Sequence, residues 1–72
     1  MFYQLTLLDN DGFETVTTAS SKLTVLDDLT LYVLAHRFEV VPLGEGAYRL
    51  QCSVSKRVKA VAIIDVVNFI AV

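Results

Sequence analysis

Apolar and polar residues alternate along Phe2–Leu8 (FYQLTLL) and Phe13–Thr18 (FETVTT), with the cluster Asp9-Asn10-Asp11-Gly12 between them. Period-two alternation marks a half-buried strand, and Asn, Asp and Gly favour a tight turn, so this stretch predicts a β-hairpin. With Leu8 facing Phe13 across the turn, Tyr3, Leu5 and Leu7 share a buried face with Val16. Gln4, Thr6, Thr15 and Thr17 then fall on the opposite, solvated face. After a connection over Ala19–Leu23 the period lengthens. From Thr24 to Arg37 (TVLDDLTLYVLAHR), Val25, Leu26, Leu29 and Val33 form one helical stripe with Tyr32 at its margin. Thr24 is the expected N-cap, Asp27 and Asp28 meet the positive end of the helix dipole, and His36 and Arg37 occupy the last turn.

A third strand is expected at Phe38–Leu43, where Pro42 marks a sheet edge or a strand end. Gly44-Glu45-Gly46 is a second turn. Ala47–Ser53 (AYRLQCS) is a fourth strand, with Tyr48, Leu50 and Cys52 on one face and Arg49 and Gln51 on the other. Lys56–Val72 alternates poorly. Its Val and Ile content favours a strand, yet a helical wheel gathers Arg57, Asp65 and Asn68, joined by Val61, into a wedge facing away from Ala60, Ile63, Val67 and Ile70. Lys56 and Arg57 would oppose the dipole at the start of such a helix. Sliding the chain by 34 positions superposes Gly12 on Gly46, Ser21 on Ser55, Lys22 on Lys56 and Val33 on Val67, which favours the helix. The expected fold is α+β, a single domain over 1–72 in the order ββαββα. It has a four-stranded antiparallel sheet with two helices on one face and a candidate internal ββα duplication. Ile63, Val67 and Ile70 are then buried, while Arg57 and Asn68 reach solvent.

Composition changes the picture in one respect. Apolar residues make up 54 % of a 72-residue chain, above the usual ~45–50 %, and a domain this small has little interior in which to hide them. A subunit that covers part of its surface in a complex is the natural expectation, with a homodimer or another protein as partner. Net charge is −2, which gives no overall attraction to nucleic acid or to an anionic membrane. The most apolar stretch, Ala60–Val72, is too short to span a bilayer and is interrupted by Asp65 and Asn68, so no membrane partner is expected. No signal peptide is visible. Cys52 is the only cysteine, which excludes a disulfide framework and fits a reducing compartment, the cytoplasm.

Candidate chemistry is sparse. His36 is the single histidine, but a cation at a helix C-terminus explains it. Cys52 as a nucleophile would need an activating neighbour and an oxyanion site, and on the expected inward face of its strand it reads as a small buried hydrophobe. Asp9 and Asp11 begin like a calcium loop whose remaining ligands are missing. Asp27 and Asp28 are adjacent on a helix and do not face each other. Gly44-Glu45-Gly46 has no P-loop lysine. The expectation is a non-enzyme with no cofactor and no metal.

Two features remain as interaction sites. Leu31 and Leu34 lie on the side of the helix opposite the Leu29/Val33 stripe, flanked by Asp27. Lys56, Arg57 and Lys59 form a basic cluster, joined by Lys22 if the duplication holds. The outer sheet face is expected to be a polar platform of Gln4, Thr6, Thr15, Thr17, Arg49 and Gln51, without the aromatic pairs that stack RNA bases. The expected function is a small intracellular protein–protein interaction module, a homo-oligomer or an inhibitor or accessory subunit of a larger assembly. Such compact acidic chains include accessory proteins of phages and other mobile elements, an analogy of class alone. The alternative is a nucleic-acid-binding regulator using Lys22, Lys56, Arg57 and Lys59.

Overall fold

The computed structural model describes residues 1–67. Its elements are β1 (Phe2–Asp9), β2 (Glu14–Ala19), α1 (Lys22–His36), β3 (Phe38–Gly44), β4 (Ala47–Cys52) and β5 (Val58–Val67). The strands form one antiparallel sheet in the order β2-β1-β5-β4-β3. α1 packs against β1, β2 and β3. Because β2 and β3 are opposite edges, the helix lies across the sheet and covers one of its faces. The result is a small two-layer α+β domain.

This overturns the expected ββαββα fold and its duplication. The sheet has five strands rather than four, and the described residues contain one helix. The segment read as a second helix is β5, the central strand. It alternates after all: Ala60 and Ala62 are fully buried towards α1, while Val61, Ile63 and Asp65 face the other way. The alternation was obscured because both faces of a central strand are apolar, so it reads as a near-continuous hydrophobic run. Its many β-branched residues restrict χ1 in a helix and pack well in a sheet. Ser55 and Lys56, the supposed counterparts of Ser21 and Lys22, lie in the β4–β5 turn, where Lys56 takes a left-handed φ of 63°. Ile63, expected to be buried, is 42 % exposed. Arg57 is exposed, as expected. The expectations for Asn68 and Ile70 lie outside the described residues.

The first hairpin is also set differently. The Asp9 carboxylate Oδ1 accepts the N–H groups of Asp11 (2.9 Å) and Phe13 (3.0 Å). Asp9 N–H donates to the Phe13 carbonyl at 3.1 Å, and Gly12, at φ 86°, closes the turn on the Asp9 carbonyl at 3.2 Å. Asp9 therefore faces Phe13, and Leu8 faces Glu14. A slip of one residue sends every side chain of a strand to the other face. Thr15 and Thr17 thus share the helix side with Leu5 and Leu7, and Val16 points outward beside Thr6.

α1 begins three residues before its expected start. Ser21 occupies the N-cap position without a side-chain hydrogen bond, and Thr24, expected there, lies within the helix. Asp27 and Asp28 consequently fall beyond the first turn. Arg37, at φ 56°, closes the helix by donating its N–H to the Leu34 carbonyl. Val25 and Leu29 are buried against Leu5, Leu7, Leu50, Ala60 and Ala62, and Tyr32, Val33 and Phe38 pack around them. β3 is an edge strand, which the missing N–H of Pro42 suits. Among the described residues no helix is long and apolar enough to cross a membrane.

Two glycine turns give a graded stability test. Both Gly12 and Gly46 have positive φ, but a Cβ on Gly12 meets nothing, whereas one on Gly46 (φ 69°) would sit 2.5 Å from the Ile64 carbonyl oxygen. Gly12→Ala should cost about 1–2 kcal/mol, the left-handed penalty alone. Gly46→Ala should cost clearly more, because a β5 backbone atom must move. Urea denaturation of the two variants checks the order.

Candidate interaction surfaces

The face of the sheet away from α1 carries no second layer among the described residues. Pairing places Val16, Thr6, Ile63 and Ala47 in one row across β2, β1, β5 and β4. The adjacent row runs Glu14, Leu8, Val61, Arg49 and Val41. Leu8, Val16 and Ile63 are each more than 40 % exposed. The expected threonine platform is therefore wrong in two of its six members. Gln4, Thr6, Arg49 and Gln51 do lie on this face, but Thr15 and Thr17 do not, and valine and isoleucine fill the centre. Arg49 lies between Val41 and Val61, and its Nε is buried with no hydrogen-bond partner. Polar groups border the patch: Gln4 and Asp65 at one end, Gln51 and Glu39 at the other, and Glu14 at the β2 edge.

The helix presents a second apolar surface. Leu31 and Leu34 are 65 % and 68 % exposed, Leu23 is similarly open, and Asp27 is exposed beside them. At 100° per residue Asp27 and Leu34 fall on the helix back, with Leu23 and Leu31 about 40° to either side of it. The sequence reading placed Leu31, Leu34 and Asp27 on this outer side, and all three are exposed. It missed Leu8, Val16, Val61 and Ile63, whose outward placement follows from the Asp9 turn and from β5 being a strand.

The basic residues do not converge. Lys56 Nζ lies 2.8 Å from Glu39 Oε1, which also accepts the Gln51 amide at 2.6 Å. The Lys56 ammonium and the Gln51 amide hold the Glu39 carboxyl below the usual range. Arg57 is exposed in the β4–β5 turn and Lys59 is half-buried. Lys22 instead lines an open cleft with Tyr3, Gly46, Tyr48 and Ile64. That cleft borders the Asp65 end of β5, about 20 Å from Lys59 along the strand.

The His36 ring stacks on Phe38 at 5.3 Å and lies 4.5 Å from Tyr32, closing the helix C-terminus with aromatic contact. Among the described residues no group of three or more His, Cys, Asp or Glu side chains could hold a metal. Cys52 ends β4, half-buried, with its carbonyl accepting the Lys56 N–H at 2.9 Å. The Ser55 hydroxyl, the backbone N–H groups of Ser55 and Val54 and the Lys59 charge lower its thiol pKa to about 7, against an opposing effect of burial.

A thiol whose folded pKa lies below its unfolded value favours the fold above the unfolded pKa, and loses that contribution as pH falls through about 7. The alkylation rate of Cys52 by iodoacetamide should rise with pH through a midpoint near 7, rather than the ~8.5 of an ordinary thiol. Ser55→Ala should move that midpoint upward. No protein-family model matches this chain, and no curated protein and no solved structure shows significant similarity to it.

Proposed function

We propose that this chain is a protein–protein interaction module, acting as a homo-oligomer or as an accessory subunit of a larger assembly, and that it is not an enzyme. The observation that carries the reading is the uncovered outer face of the sheet, with Leu8, Val16 and Ile63 open to solvent around Thr6. Contiguous exposed apolar residues rimmed by polar ones are a property of contact surfaces. Leu31 and Leu34, with Asp27 at their flank, supply a second such surface on the helix. An apolar fraction of 54 % in so short a chain is accounted for if one or both surfaces are covered in the assembly. A single thiol suits the cytoplasm.

Nucleic-acid binding draws little support. Phosphate contact needs several cations on one surface, whereas Lys56 is paired with Glu39 and Lys22 lies at the far end of the sheet from Arg57 and Lys59.

The test is affinity capture from the native host, identified by mass spectrometry, with sedimentation of the purified chain alongside. Wild type is compared with Ile63→Lys and with a Leu31→Asp, Leu34→Asp double variant. One of these variants should lose the protein partner, or self-association, with an unchanged circular dichroism spectrum. A wild type that stays monomeric and retains no protein, but binds DNA or RNA with strong salt dependence, would reverse the assignment.

A further inference from the structure

The two edges of the sheet are unlike. β3 is blunted: Pro42 offers no N–H, and its pairing with β4 shifts register between Pro42 and Gly44. β2 has no such device. Its sequence ETVTTA contains no proline and no lysine, and its pairing with β1 is regular from Leu8↔Glu14 to Tyr3↔Ala19. An unprotected edge is a template for another strand.

Which backbone groups β2 leaves free follows from the turn. Asp9 N–H donates to the Phe13 carbonyl, and hydrogen-bonded pairs alternate with unbonded ones along an antiparallel ladder. Thr15, Thr17 and Ala19 therefore exchange bonds with β1. Glu14, Val16 and Thr18 direct their N–H and C=O groups away from the sheet. The same parity sends the Asn10 N–H towards β5, where it donates to the Lys59 carbonyl at 3.1 Å.

We infer that β2 pairs antiparallel with β2 of a second copy of this chain, across a two-fold axis at Val16, making one continuous sheet. This rests on the protein-binding reading and names the partner. Centred on Val16, the strand is complementary to itself. Val16 meets the partner's Val16, Glu14 meets the partner's Thr18, and every outward N–H and C=O finds a mate, about six inter-chain bonds. On the helix side Thr15 faces the partner's Thr17, a favourable cross-strand pair. Glu14 is the only charge on the strand. The two copies of it would lie four residues apart, about 13 Å, beyond the ~8 Å Debye length at physiological salt. The pairing also covers Val16, 49 % exposed in the single chain, and joins the apolar patches of the two outer faces.

The parity supplies a selective variant. Val16→Pro removes an N–H that the single chain does not use, so it leaves the intramolecular ladder whole while breaking the inter-chain one. Val16→Lys puts an edge lysine on each side of the axis. Sedimentation over a wide concentration range should give a dimer for wild type. Both variants should weaken dimerisation at least about tenfold with unchanged circular dichroism. In concentrated wild type the Val16 and Thr18 amides should be protected from hydrogen exchange, and dilution should remove that protection. If Val16→Pro fails to fold, Val16→Lys and the exchange data decide. A dimer that survives Val16→Lys but not Ile63→Lys or the Leu31/Leu34 change would overturn the edge pairing and leave the protein-binding reading standing. A wild type monomeric at every concentration overturns the edge pairing as well, even if a foreign protein is captured.

Discussion

The fold depends on the ladder between β1 and β5. It pairs Phe2 with Val67 and runs through Asp9↔Ala60, joining the two halves of the sheet. Each half is local: β1 and β2 are one hairpin, β3 and β4 another. Neither can cover α1 alone, because the buried set draws Leu5 and Leu7 from the first, Leu50 from the second and Ala60 and Ala62 from between them. Asn10 fixes the junction at one end. Its side-chain amide donates to the Val58 carbonyl at 2.7 Å and its N–H to the Lys59 carbonyl. The tip of the first hairpin is thus tied to the start of β5, and the register of the ladder is held where the strand enters.

Much of this was legible in the residues. Tyr3, Leu5 and Leu7 alternate with Gln4 and Thr6 because β1 has one face against the helix. Val25 and Leu29 mark the helix's buried stripe because only that stripe meets the sheet. β5 was hidden for the opposite reason: a central strand whose outer face is also apolar loses the polar half of its alternation, and a helical wheel will then organise almost any remainder. Val16 was misplaced by one hydrogen-bonding choice. The Asp9 side chain captures the Phe13 N–H, and Asp9 then faces Phe13, leaving three residues in the loop where the composition suggested four.

The surfaces follow the same logic. Leu31 and Leu34 could be assigned to the outside of the helix because a helix with one neighbouring layer has one inside. The outer sheet face could not be read correctly until the parity of β2 and the nature of β5 were known, since the first error exchanged Val16 for Thr15 and Thr17 and the second left Val61 and Ile63 out of the sheet. Only the place of Lys22 in the expected basic cluster depended on the duplication. Once Ser55 and Lys56 belong to a strand turn, nothing brings Lys22 to them, and Glu39 rather than a phosphate takes up Lys56.

The position of β5 has a consequence for biosynthesis. It is the last described element in the chain and the middle strand of the sheet, so the domain is completed from its centre rather than its rim. Both hairpins and α1 emerge from the ribosome first, at about 5–20 residues per second. Until Val58–Val67 follows them, β1 and β4 are nascent edges with their ladder groups unfilled and Leu5, Leu7 and Leu50 uncovered. The two hairpins must stay apart by one strand's width and await an insertion. Premature closure of β1 directly on β4 would be the characteristic misfold of this topology, and a chaperone that holds open strands would act on it in that interval.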